Sequence, residues 1–288
     1  MPATDTSPAA DAPVRPARAR TTRRGWVRFA VALVLAVAAV FPLGWMLSGS
    51  FRTPDDVFSP SLLPAHPTLH NFSYVLTQVA FPRYLLNSLI VAVVVTVVAL
   101  FFHSMAAYAL ARLRFPGRDT IFVLIFSTLL ITFPVILVPL FLIVHTLGIL
   151  DSYAGIIIPS IFNAFGIFLL RQFYLSLPRE LEEAAIVDGC GYWRVYWKVI
   201  LPLSRPVFAA LAVLFFLANW NAFLWPMVVT TSTDLSLVQV GIAAFQQQHA
   251  ADWNFSLAAS TISALPTLGL FVIFQRRIVE SIKTSGFK

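Results

Sequence analysis

LLNSLIVAVVVTVVALFFHSMAAYAL, residues 85–110, carries no Asp, Glu, Lys or Arg. A helix crosses the hydrocarbon core of a bilayer with about 20 apolar residues. Lipid offers no water to the backbone, so such a run must be helical to satisfy its own N–H and C=O groups. Five further runs read the same way: residues 26–48, 120–144, 153–174, 206–229 and 257–278. A short turn around 147–152 joins the third and fourth into an antiparallel hairpin. None of the six predicted spans contains Asp or Glu. The expected fold class is an all-α membrane protein with six transmembrane helices.

Composition agrees. Hydrophobic residues make up 58% and charged residues 11% of the 288 positions, and the mean hydropathy is +0.80. A soluble domain carries about 25% charged residues, so this chain has too few to cover a surface facing water. Nothing between the spans is large enough for a soluble catalytic domain. A net charge of +7 could point to nucleic acid. Here, however, Lys and Arg stand in short blocks between apolar runs, the pattern that orients a membrane protein, and no nucleic-acid binding is expected.

Of the 20 Lys and Arg, only Arg52 and Arg83 fall on the side of the 49–82 and 230–256 segments. The positive-inside rule therefore places both termini and the 178–206 loop in the cytosol. Residues 1–25, rich in Pro, Ala, Thr and Arg, read as a disordered cytosolic tail ahead of the six-span domain 26–288. The first apolar run exceeds the roughly 7–15 residues of a signal-peptide core, so an uncleaved anchor is expected. Cys190 is the only cysteine and reads as a free, reduced thiol.

The 178–206 loop holds the most information: PRELEEAAIVDGCGYWRVYWKVILPLSRP. Pro178 suits a first helical position. Glu180, Glu182 and Glu183 would then lie near the positive end of the helix dipole. Ala184 and Ala185 favour helix and keep one face thin. Gly189 can take the left-handed conformation that ends a helix. Beyond it Tyr192, Trp193, Tyr196, Val199 and Ile200 recur at helical spacing, and Pro202 and Pro206 should stop that second helix. A thin face flanked by carboxylates fits a groove on a partner protein. An amphipathic helix resting on lipid headgroups fits as well.

The stretch resembles the EAA loop of the permease subunits of ATP-binding-cassette (ABC) importers, on Glu183, Ala184, Ala185, Gly189, Val199, Leu201 and Pro202. Val199 stands where isoleucine is usual. The likeness extends along the chain through Asn87-Ser88-Leu89, Ala106-Ala107-Tyr108, Arg112, Phe115, Gly117, Pro139, Leu147-Gly148, Arg171-Gln172-Phe173, Trp220-Asn221, Phe223-Leu224-Trp225-Pro226, Pro266, Phe271 and Gln275-Arg276. On these residues the chain resembles the shorter, six-span partner of the maltose-type carbohydrate permeases. Ala222 and Glu280 depart from the pattern, standing where a polar or acidic residue and a glycine are common. The resemblance implies the type I ABC importer fold and pairing with a second homologous permease. It also implies two ATP-binding subunits below, a solute-binding protein outside, and a sugar substrate. It assigns ATPase coupling to Glu183, Ala184, Ala185, Asp188, Gly189, Leu201 and Pro202, with the longer partner carrying most substrate contacts.

Asn163, Asn219 and Asn221 are polar groups in or near apolar spans, and Trp220 and Trp225 offer ring faces. A solute pathway would use them. Interhelical hydrogen bonds and an interfacial aromatic belt would place the same residues. His103-Ser104 lacks a carboxylate in its span to orient a catalytic pair. Gly189-Cys190-Gly191 lacks the Gly-Lys-Ser/Thr ending of a phosphate loop. No Cys/His spacing offers a metal site. No catalytic residue, cofactor or metal is expected. An importer of a polyol, glycerol phosphate or peptide is the alternative within the class. An ion-driven transporter would carry acidic residues in its spans, and a membrane enzyme is the remaining rival.

Overall fold

The computed structural model describes residues 23–248 and 252–285, so residues 1–22 of the expected tail lie outside it. The chain divides into two units, 1–45 and 46–288. The first holds most of helix α1, Arg23–Ser50. Its apolar side chains Val31, Leu35 and Val40 are all exposed, as befits a helix surrounded by lipid.

In the second unit the helices follow in order: α2 (His70–Thr77), α3 (Phe81–Arg112), α4 (Arg118–Ser127), α5 (Phe133–Thr146), α6 (Tyr153–Ile161), α7 (Ala164–Ser176), α8 (Glu180–Val187), α9 (Tyr192–Val195), α10 (Leu201–Leu203), α11 (Arg205–Trp220), α12 (Leu224–Val229), α13 (Val238–Gln248) and α14 (Trp253–Ser285). The described residues contain no strand. Among the described residues four helical stretches are long and apolar enough to span: Gly25–Ser50, Phe81–Arg112, Tyr153–Ser176 and Trp253–Phe274. Two bent pairs bring the count to six when each is taken as one span.

Those bends correct the sequence reading. The third span, expected as one continuous helix over 120–144, bends by 106° between Arg118–Leu130 and Phe133–Thr146. Ile131 and Thr132 are extended there, and Pro134, in the first turn of α5, has no N–H with which to continue the earlier helix. The fifth, expected over 206–229, is helical only to Trp220 and resumes as α12 after residues 221–223. Ahead of it the chain turns by 75° between Tyr192–Leu203 and Arg205–Trp220. Pro202 does not stop the helix as expected. A π turn, Tyr196–Ile200, precedes it, and the chain bends two residues later, at Ser204, whose hydroxyl bonds back to the Ile200 carbonyl at 2.5 Å. Pro206 does open a new helix.

The core is built on α3, which packs against α6, α7, α11 and α13. Toward its Arg112 end lies a cluster of Ala107, Tyr108, Leu170, Tyr174, Tyr196, Ile200 and Leu211. Toward its Phe81 end lie Val75, Ala92, Trp220, Val238 and Ala258 in one cluster, and Val91, Val95, Ile156, Trp225 and Leu237 in another. The 49–82 segment, read only as a polar external stretch, is tightly folded. Arg52 is 1% exposed and donates to the carbonyl oxygens of Asp56 and Ser59 at 3.2 and 2.8 Å. The buried Asn71 amide donates to those of Ser50 and Arg52.

Candidate functional site

Two regions carry chemistry: the 178–206 loop at the Arg112 end of α3, and a cavity at mid-height among the spans. In the loop, α8 begins at Glu180, two residues later than Pro178 suggested. It ends in a Schellman motif: Gly189 N–H donates to Ile186 O and Cys190 N–H to Ala185 O, both at 2.9 Å. Gly189 has φ +81°, the conformation expected of it. The helix has two faces. Ala185 and Cys190 pack onto the tyrosine-rich cluster. Glu183, Ala184, Asp188 and Gly189 are exposed, as are Ile186 and Val187. Leu201 is half-buried and Pro202 exposed, at the far end of the π turn.

Sequence reasoning treated Glu182 as a first-turn carboxylate and Arg112 as a point of resemblance; the fold joins them. Arg112 Nε lies 2.9 Å from Glu182 Oε1, with side-chain exposures of 4% and 10%. Arg112 Nη2 also donates to the carbonyl oxygens of Tyr174 and, at 2.6 Å, of Leu177, closing off the end of α7. One guanidinium thus ties α3, α7 and α8 together. Burial raises the Glu182 carboxyl above the ordinary carboxylate range, against the pull of Arg112 and Arg179. Nothing in linear spacing pairs two residues 70 positions apart, so only their charge, flanking apolar runs, could have drawn attention to them. Beside this tie, Tyr196 in the π turn hydrogen-bonds the Ser104 hydroxyl and packs on the Tyr108 ring at 5.3 Å.

The cavity encloses about 640 Å³. Three interruptions in the helical spans reach it: Phe133 where α5 starts, Phe162–Asn163 between α6 and α7, and Ala222–Phe223 between α11 and α12. Non-helical backbone at membrane depth is tolerated where it lines a cavity or is buried in protein. Of the predicted pathway residues, Asn163, Asn219 and Trp225 line this space together. Trp225 is 5% exposed and held by a bond from its indole N–H to Gly155 O at 3.2 Å. Trp220 is not among the lining residues. Its ring is 2% exposed and stacks on Phe216, and its N–H donates to Ser263 O at 3.1 Å. Asn221 is exposed outside the lining, accepting from Gln239 Nε2 at 3.2 Å. Among the described residues none that lines the cavity is Asp, Glu, Lys or Arg. Among the described residues no cluster of His, Cys, Asp and Glu could hold a metal ion.

At the Phe81 end, the Asn87-Ser88 pair pins the 230–240 segment across α3. Asn87 Nδ2 donates to Asp234 O and Ser236 O at 2.9 and 3.0 Å. Ser88 Oγ accepts from Val238 N at 2.8 Å. Asp151, held at φ +51°, accepts through Oδ1 from Thr231 N, Ser232 N and Ser232 Oγ. The backbone N–H groups of Ser232 and Thr231 hold its carboxyl below the ordinary range.

The family model described as "binding-protein-dependent transport system inner membrane component" matches residues 103–284. The chain is 35% identical over 263 residues to the arabinooligosaccharides transport system permease protein AraQ of Halalkalibacterium halodurans, covering 88% of this chain and 93% of that one. It is 33% identical over 275 residues to the sn-glycerol-3-phosphate transport system permease protein UgpE of Yersinia enterocolitica, covering 91% and 98%. Its fold matches, with a TM-score of 0.80 and 26% identity over 92% of this chain and 99% of the other, a chain from the crystal structure of a bacterial ABC transporter involved in the import of the acidic polysaccharide alginate.

Proposed function

Since this chain belongs to the family of binding-protein-dependent transport system inner membrane components, and is a multi-pass permease subunit of an ABC importer, we propose that the solute it passes is an uncharged sugar or oligosaccharide. The observation that carries this reading is the lining of the cavity. Asn163, Asn219 and Ser160 offer neutral hydrogen-bonding groups, Phe133, Phe223 and Trp225 offer apolar rings, and among the described residues no lining side chain offers a fixed charge. Hydroxyl groups and the apolar face of a pyranose suit such walls. A phosphate ester or a uronate would call for Arg or Lys.

The exposed Glu183–Ala184 face of α8, with Asp188 and Gly189 at its end, docks in a cleft of an ATP-binding subunit. Leu201 and Pro202 close the same loop. Closure of the two ATPases on ATP moves α8, and the Glu182–Arg112 tie passes that motion to α3, which lines the cavity, and to α7, whose N-cap Asn163 does. A second homologous permease completes the route and an external binding protein delivers the sugar. Both termini and the 178–206 loop face the cytosol.

The test is uptake by the reconstituted assembly of permease pair, ATPases and binding protein. Labelled neutral oligosaccharides, uronate oligosaccharides and sn-glycerol 3-phosphate are compared, with ATP hydrolysis followed in parallel. Neutral sugars should drive uptake and stimulate hydrolysis. Stimulation by an anionic solute alone would overturn the substrate reading. Orientation is tested in a Cys190→Ala background. Leu63→Cys, 80% exposed, should react with an impermeant thiol reagent on intact cells, and Val187→Cys, 87% exposed, only after permeabilisation.

A further inference from the structure

His103 is the only ionisable side chain among the described residues lining the cavity, and it is 1% exposed. A polar ring at this depth is costly unless it is used. Its neighbour Ser104 faces elsewhere, onto Tyr196, so the two do not act as a pair. His103 Nε2 accepts the backbone N–H of Asn163 at 3.2 Å. Asn163 is the N-cap of α7, in extended conformation, and its own Oδ1 is taken by Phe165 N at 2.8 Å. Without His103, the Asn163 N–H would stand unpaired at the break between α6 and α7.

The space for the ring is specific. A Cβ on Gly166 would lie 2.4 Å from His103 Nδ1 and 2.6 Å from Phe215 Cζ. Phe215 meets the imidazole edge-on, with centroids 5.5 Å apart and planes at 81°. The ring is thus the meeting point of α3, α7 and α11. The ring also lies within hydrogen-bond reach of the Ile161 backbone, one residue before the break.

We infer that His103 is a positioning residue for transport. It latches the α6–α7 break to α3, so that the wall this break gives the cavity keeps its place as the solute passes. This rests on the reading of the cavity as the solute route.

The experiment uses the reconstituted importer with His103→Leu, His103→Gln and Gly166→Ala, and with Asn219→Trp as a plug of the cavity. Gln can place an acceptor where Nε2 stands; Leu fills the space without one. His103→Leu should lower the maximal uptake rate about 10-fold or more while the apparent KM changes by less than about threefold. More ATP should then be spent per solute moved. His103→Gln should stay within about threefold of the parent, and Gly166→Ala, whose methyl evicts the ring, should match His103→Leu. Wild-type uptake by His103→Leu, or equal impairment of the Leu and Gln variants, overturns the latch. If His103→Leu does not insert, wild-type uptake by Gly166→Ala overturns it instead. Unimpaired uptake by Asn219→Trp shows that the cavity is not the route. A block by Asn219→Trp with normal His103→Leu refutes the latch alone.

Discussion

At one end of α3, Arg112 meets Glu182 in a buried ion pair and caps the end of α7. At the other, Asn87 and Ser88 hold the 230–240 segment through neutral bonds to its backbone. The first arrangement concentrates several elements on one guanidinium, so they move as a unit. The second spreads a strap over many weaker bonds, each close to its hydrogen-bonding cost in water. A rigid joint suits a loop proposed to carry force from a partner. A distributed strap suits a surface that only has to stay folded.

Arg112→Ala is the severest way to break this contrast. It leaves Glu182 buried without its counter-charge, which costs on the order of 3–5 kcal/mol. The melting temperature of the purified permease complex should fall steeply, and an Arg112→Met/Glu182→Leu double variant should recover most of the loss. Equal loss in single and double variants would show that packing, and not charge, makes the joint.

Asn87→Ala should cost less, about 1–3 kcal/mol for carbonyl groups left without a donor. Proteolysis should detect loosening confined to the 230–240 segment, with the loop end unaffected. Destabilisation as large as that of Arg112→Ala would erase the difference between the two ends.

Glu183→Ala and Gly189→Asp probe the exposed side of the joint. Each should leave the permease inserted and folded while weakening ATPase association by about 1–3 kcal/mol, roughly 5- to 150-fold. The first removes a charge at the interface. The second forces a side chain into φ +81° and re-aims α8. Pull-down and uptake normalised to permease abundance report both. Full association and uptake in both variants would return α8 to the role of a surface helix.

The smallest effect is a pair of opposite pH trends. Burial raises the Glu182 carboxyl from its ordinary 4.5, so the stability linked to its protonation is present below 4.5 and lost as pH rises through the higher folded value. Hydrogen bonds lower the Asp151 carboxyl from its ordinary 3.8, so its contribution is present above 3.8 and lost as pH falls through the lower folded value. Melting scans across the acid range should show Glu182→Gln flattening the first trend and Asp151→Asn the second. Trends of the same sign would contradict the two environments.

Much of this was legible in linear sequence. Apolar runs near 20 residues admit only helices across lipid, and the loop motif with its glycine fixed where α8 ends and turns. The breaks were not legible. Residues 120–144 and 206–229 are as apolar as continuous spans, and hydropathy does not register where Pro134 or the 221–223 segment interrupts them. The five polar and aromatic candidates separated only once the helices were rotated into place, with Asn163, Asn219 and Trp225 on the cavity, Trp220 in the core, and Asn221 outside. Asn stands both on the cavity and off it, and so does Trp, because residue type does not encode facing.

By itself the sequence determined the solvent of this protein, its all-helical class, and the loop by which it resembled an importer permease. These follow from local composition and spacing, which act through transfer to lipid and backbone satisfaction within a single helix. Only the tertiary structure decided that Arg112 answers Glu182, that His103 reaches Asn163 because Gly166 has no side chain, and that three helix breaks open on one cavity. Each of these depends on the approach of segments tens of residues apart, set by the packing of α3 against its neighbours.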